Sequence, residues 1–366
     1  MDINYFIQEY YYFLITFICI LIIFSFLNYF NKQHHNEQYL DKQYLDNVIL
    51  GTSFIFSLFT VYYLGNRHSG IGFDTFRYEN LFTIYKNSTE FYVRKDPFFD
   101  FFTYSFSKYF EFRTFLYACA FIYIFSAYYG LKLIFKSKFY LPFLIFLISP
   151  YFFNMGINVM RNGIASSIFL IALGNYYEGK KLRTIIFLFC SILFHISMIV
   201  PVICFLIAKF LIKKTNLIFL LWLGSIVLGI LKINIFLHLE FLLDFLGDRT
   251  DGYIDAEGER VFWGNFIIFG SIPVIFAVYN IMVLKYKNDF YTLLVNSYIL
   301  IHIPYLILIN TEFASRLGYL AEFMMPILLM FPLLVDPVIK IRYVYFKLSL
   351  IIFLIFMIKA YKILIL

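Results

Sequence analysis

Charge is scarce in this chain. Asp, Glu, Lys and Arg make up 14% of it, where a soluble domain carries about 25%. Hydrophobic residues make up 62% of its 366 positions. A water-soluble fold of that length has no interior large enough to hide so much apolar surface, so lipid is the natural solvent. Cysteine is scarce too. Cys19, Cys119, Cys190 and Cys204 all lie in apolar runs without metal-ligand spacing, so neither a zinc framework nor a disulfide is expected. The six histidines do not cluster and no helical zinc motif occurs, so no metal site and no cofactor are expected. The GIG triplet at 70–72 lacks the third glycine and the strand context of a phosphate loop. Internal repeats, low-complexity tracts and a soluble domain are absent from the sequence. The net charge of +7 sits in short clusters between apolar spans. That pattern sets membrane topology and excludes nucleic acid as a partner, since no basic stripe is present.

What remains is a succession of apolar runs. Spans are expected at 11–30, 47–64, 112–135, 139–153, 161–177, 216–231, 263–284, 290–310, 316–335 and 343–364, each near the length that crosses the hydrocarbon core of a bilayer. The expected fold is all-α: one polytopic transmembrane helix bundle over 1–366 with about ten to twelve spans. The apolar run at 11–30 reads as a span rather than a cleavable leader, because Asp2 and Glu9 replace the usual basic flank. Basic clusters flank the segment 183–212 at both ends. It reads either as a broken-helix hairpin with its tip near His195, Ser197 and Pro201, or as one long tilted helix. The Lys- and Arg-rich loops at 31–46, 136–138, 178–183, 209–215, 285–289 and 336–342 alternate as cytoplasmic, which puts 65–111, 154–160, 232–262 and 311–315 outside. Both termini then face outward. Two stretches in the longer outer loops, 97–110 and 233–246, are amphipathic and suit a membrane surface or a cavity cover.

Several residues carry candidate chemistry, each with a plainer reading beside it. Asp74 lies just past a glycine-rich turn, near Arg67, Arg77 and Tyr78; it is a candidate base for a hydroxyl, or one member of ordinary loop ion pairs. Asp96 precedes Pro97, so it either caps a helix beginning there or contacts substrate. Arg161 opens a helix rich in small residues (Ala165, Ser166, Ser167), and Arg316 opens another beside Ser315, Gly318 and Tyr319. An arginine at a helix N-terminus suits a phosphate, and two such sites on one cavity would match a diphosphate. Snorkelling toward the interface is the plain alternative. His195 and Ser197 mark the break in 183–212; a packing histidine is the alternative there. Arg249 and Arg260 lie in a polar loop at 247–262, either a lid or a connector.

The motifs GIGFDTFRY at 70–78, DPFF at 96–99, NVMRNGIASSIFLIALGNYYEGKKLRTIIFLFCSILFHISMIVP at 158–201 and ASRLGYLAEFMMPILL at 314–329 come in an order and spacing that resembles one family. It is the EpsG-like branch of the bacterial Wzy-type polymerases of O-antigen, capsule and exopolysaccharide. The resemblance covers 65–335. It departs at Asp96-Pro97, where the family often has Glu-Pro, and 232–262 matches no pattern. It implies a multi-pass protein of the bacterial inner membrane. The implied reaction joins undecaprenyl-diphosphate-linked oligosaccharide repeat units by glycosyl transfer at the outer face. Membrane lipid and a chain-length regulator protein are the implied partners. On that reading Asp74, Arg161, His195 and Arg316 are catalytic candidates. Arg67, Arg77, Tyr78, Asp96, Ser197, Arg249, Arg260 and Tyr319 are substrate-binding candidates. The alternatives are a flippase or transporter for lipid-linked glycan, which should show repeat symmetry, and a membrane acyltransferase or ligase.

Overall fold

The computed structural model describes residues 3–33, 42–72, 74–149, 151–233, 264–310, 314–335 and 337. They form helices and, among the described residues, no strand. Five helices are long and apolar enough to cross a membrane: Tyr5–Ile23, Asn47–Gly65, Phe112–Lys138, Asp289–Ile307 and Arg316–Leu334. Shorter apolar helices cover Ile196–Phe210, Thr215–Ile230 and Ile267–Val283. The expected span at 343–364, the stretch 233–246 (apart from Ile233) and the loop 247–262, with Arg249 and Arg260, lie outside the described residues.

The chain divides into two compact units, Met1–Ile196 with Leu333–Leu366, and Ser197–Pro332. In the first unit α1 (Ile3–Gln33) packs on α2 (Lys42–Gly65), and α2 on α5 (Phe112–Phe135). The connection from α2 to α5 is itself helical, with α3 (Thr75–Asn87) against α4 (Pro97–Tyr109). After α5 come α6 (Tyr140–Ile148), α7 (Phe152–Ile157), α8 (Met160–Tyr177) and α9 (Lys181–Phe194). α8 packs on both α5 and α9 and is buried along nearly its whole length, Ala165, Ser166 and Ser167 included. These small side chains allow close helix approach, which is what holds helices together where lipid offers no hydrophobic drive.

Two expectations need correcting here. The span at 139–153 is two helices, α6 and α7. Pro150 disfavours helix at the residue before it, and Ser149 is extended at φ −62°, ψ 149°. The segment 65–111 is no open loop. Its amphipathic part is helix α4, which begins at Pro97 as anticipated and keeps Phe99, Asp100, Thr103 and Ser107 on its buried face.

The second unit holds α10 (Ile199–Phe210), α11 (Thr215–Ile230), α12 (Gly264–Val278, running on into a π-helical turn over Tyr279–Val283), α13 (Asp289–Ile307), α14 (Ala314–Glu322) and most of α15 (Met325–Leu334). α13 is its central helix and packs against α10, α11, α12 and α14. Asn288 caps α13, its side chain accepting from the Tyr291 N–H at 2.9 Å.

The segment 183–212 is broken where the sequence placed its tip. α9 ends at His195, whose backbone is extended at φ −157°, ψ 117°. A 3₁₀ turn over Ile196–Met198 follows, and then α10.

Candidate functional site

The site is assembled from three stretches of the first unit that are remote in sequence. Gly72 makes the first stretch possible. It sits at φ +88°, and a Cβ there would lie 2.4 Å from Ile157 Cγ2, so glycine meets both the backbone and the space requirement. The turn 66–72 can thus lie against the end of α7, and Thr75 starts α3. Gly163 does the same for α8, since a Cβ would lie 2.3 Å from the Met155 carbonyl oxygen. The first turn of α8, which bears Arg161, is therefore pressed onto α7. Tyr78 of α3 fastens the two together by donating to the Asn158 carbonyl at 3.0 Å.

Asp96 is the centre. It precedes α4, yet its side chain makes no capping bond, which corrects the helix-cap reading. Asp100, in the first turn of α4, takes over instead. Its Oδ2 accepts from the backbone N–H groups of Arg94 (2.8 Å), Lys95 (3.0 Å) and Asp96 (3.3 Å), ordering the approach to the helix. The Asp96 carboxylate is thereby left for long-range partners. Arg161 Nη1 donates to its Oδ2 at 2.5 Å. His195 Nδ1 lies 3.2 Å and 3.3 Å from its two oxygens. The Ile196 N–H donates to Oδ1 at 3.0 Å.

The carboxylate side chain is 0% exposed, whereas those of Arg161 and His195 are 30% and 20% exposed. A carboxylate at this depth is costly unless it is paired and hydrogen-bonded. Burial alone raises the Asp96 pKa. The His195 hydrogen bond, the charges of His195 and Arg161, and the Ile196 N–H outweigh that and hold it at about 2. Asp96 is therefore ionised at neutral pH.

Aromatic rings frame the cation. The Arg161 guanidinium carbon lies 5.9 Å from the Tyr78 ring centroid and 5.8 Å from that of Phe99, and Tyr78 and Phe99 are themselves 5.7 Å apart. Burial raises the Tyr78 phenol pKa, so the ring stays neutral. Arg161 Nε is buried and has no hydrogen-bond partner among the described residues.

Chemically, this is an imidazole oriented by a carboxylate beside an arginine that has used few of its five donors. With Nδ1–H directed at Asp96, the lone pair belongs to Nε2, the tautomer of a general base.

The other candidates fall elsewhere. Asp74 pairs with Arg77 at 3.3 Å in a half-open position and makes no capping bond for α3. Arg67 is not its partner. That guanidinium is buried, donates to the Leu64 carbonyl at 2.7 Å, and lies against Thr75 and the Met160 sulfur. Burial lowers its pKa to about 10, which leaves it charged at neutral pH. Ser197, Arg316 and Tyr319 belong to the second unit. Ser197 Oγ is buried without a hydrogen-bond partner among the described residues, Arg316 is exposed in the first turn of α14, and Tyr319 is buried. The sequence reading missed Asp100 and Phe99. Asp100 carried a signal, since an acid in the first turn after Pro97 is where a helix N-terminus wants one. Among the described residues no three His, Cys, Asp or Glu side chains converge as a metal site would require.

Long apolar helices packed in this way, with a charged cluster held on the shorter helices between them, define a polytopic helical membrane protein. The profile of the EpsG family matches residues 48–365, and the chain belongs to that family of polysaccharide polymerase-type membrane proteins. It is thus a multi-pass membrane protein of polysaccharide biosynthesis. No curated protein and no solved structure matches it.

Proposed function

We propose that this protein is a glycosyltransferase that joins oligosaccharide repeat units carried on undecaprenyl diphosphate, at the outer face of a bacterial inner membrane, as Wzy-type polymerases of O-antigen, capsule and exopolysaccharide do. The observation that carries the reading is the buried Asp96 carboxylate, gripped by both Arg161 and His195.

In the proposed reaction the terminal hydroxyl of an incoming repeat attacks the anomeric carbon of the growing glycan. The new glycosidic C–O bond forms as the anomeric C–O bond to the diphosphate breaks. His195 Nε2 takes the hydroxyl proton, and Asp96 holds the ring and stabilises the imidazolium. This moves the base from Asp74, which is occupied by Arg77, to His195. The leaving diphosphate gathers negative charge, and Arg161, whose side chain is 30% exposed, supplies preorganised donors for it. Tyr78 and Phe99 fix the plane of that guanidinium.

The test is a deletion strain complemented with wild-type protein or with His195→Ala, with surface glycan resolved on a gel and protein level checked in membranes. Wild type restores the ladder. His195→Ala, at wild-type level, leaves glycan of a single repeat. A full ladder from His195→Ala overturns the mechanism. If the deletion strain exports no single-repeat glycan at all, the protein acts in lipid-linked glycan transport instead.

A further inference from the structure

A cavity of about 510 Å³ opens between α1 and the end of α2, within the roughly 300–1,000 Å³ of small-molecule sites. Its walls are aromatic. Phe13 and Phe59 stand 4.3 Å apart by ring centroid, and Tyr62 lines the cavity as an exposed ring. Set among them are the Glu9 carboxylate, the Asn66 amide and the His68 imidazole. Glu9 lies 3.4 Å from the Tyr63 hydroxyl. Arg67 also lines the cavity, and its guanidinium touches the sulfur of Met160, the neighbour of Arg161. Through Arg67 and Met160 the cavity wall thus reaches the first turn of α8, which bears Arg161.

The chemistry of the lining selects its occupant. A prenyl chain would take Glu9, Asn66 and His68 out of water at a cost that the Tyr63 hydroxyl beside Glu9 and the Gly70 N–H on His68 offset only in part. A diphosphate would meet the Glu9 carboxylate. A sugar ring suits both parts of the wall: its C–H face lies on aromatic rings, and its hydroxyls bond to a carboxylate and an amide. The wall from α1 lies outside residues 48–365, the stretch matched by the family, while Phe59, Tyr62, Asn66 and His68 lie within it.

Resting on the polymerase reading above, we infer that this cavity is a saccharide subsite that binds an uncharged sugar of the glycan and selects which repeat unit is accepted. The probe is the free repeat oligosaccharide, released by mild acid from the glycan lipid of a host lacking the protein. Its binding to the full-length purified chain is measured by titration calorimetry. Wild type binds it; Tyr62→Ala and Glu9→Gln each weaken binding about tenfold, and Tyr62→Phe, which keeps the ring, restores it. In polymerisation assays the same two variants raise KM about tenfold with kcat within about twofold of wild type. Absence of binding by wild type, or equal binding by all four proteins, overturns the subsite. So does a loss in Tyr62→Ala of affinity for polyprenyl diphosphate in place of affinity for the oligosaccharide. Because binding is read without turnover, intact oligosaccharide binding by a wild type that extends no glycan would remove the polymerase reading and keep the subsite. The reverse pattern would remove the subsite alone.

Discussion

Two polar clusters, one in each unit, are buried on different terms. In the first, Asp96 is enclosed and yet bonded by Arg161, His195 and the Ile196 N–H. In the second, the Trp222 indole donates to His302 Nδ1 at 3.0 Å, while His302 Nε2, the Tyr305 hydroxyl and Glu322 Oε1 are buried with no hydrogen-bond partner among the described residues. A carboxylate bonded through both of its oxygens fixes its partners relative to one another, whereas polar groups without partners do not constrain each other. The lesson is that the proposed reacting centre stands out not by buried polarity alone but by a charge-paired carboxylate reached by side chains from three segments.

The largest expected effect breaks the satisfied region. Asp96→Asn keeps the shape and removes the charge that orients His195 and balances Arg161. Repeat-unit transfer by the purified protein should fall by about 10²–10⁴-fold, the usual worth of a positioned base. A smaller loss is expected from Arg161→Lys, which keeps an ion pair with Asp96 but gives up the planar fork. Loss of one preorganised donor predicts a decrease of about a hundredfold in kcat, the low end for such a donor, read in the same assay with unfolding temperature as the control for folding.

A spectroscopic prediction sharpens the contrast without any change in rate. With a pKa of about 2 against an ordinary 3.8, ionised Asp96 stabilises the fold at every pH above the ordinary value, and that contribution is lost only as pH falls through the lower one. Infrared difference spectra of wild type minus Asp96→Asn should therefore show an ionised carboxylate at about pH 3; a protonated carbonyl band there would contradict the arrangement. The smallest effects belong outside the cluster. Glu322→Gln in the second unit, and Lys180→Ala, whose partner is the surface carboxylate of Glu178 at 2.5 Å, should each leave chain length on a gel unchanged and transfer within about twofold of wild type.

Much of this architecture could be read from residue order. The expected span at 112–135 coincides with α5, and that at 216–231 with α11 to within a residue, because both are uninterrupted apolar runs between basic or polar ends. The run at 139–153 misled, because its hydropathy is continuous while Pro150 interrupts its backbone. Arg161, His195 and Asp96 were each legible as unusual residues in an apolar chain. Their partnership was not, since Asp96 lies 65 residues from Arg161 and 99 from His195, and no local period links positions so far apart. The cap reading of Asp96 failed because its carboxylate is turned to Arg161, His195 and the Ile196 N–H, all remote from the helix it precedes.

The most direct measurement is chain extension by purified protein in detergent, wild type against Asp96→Asn, with the host's own single-repeat glycan lipid as sole substrate and products sized by mass spectrometry. The account predicts multi-repeat glycan and released polyprenyl diphosphate from wild type, and the starting single repeat from the variant. Equal extension by the two proteins would contradict it.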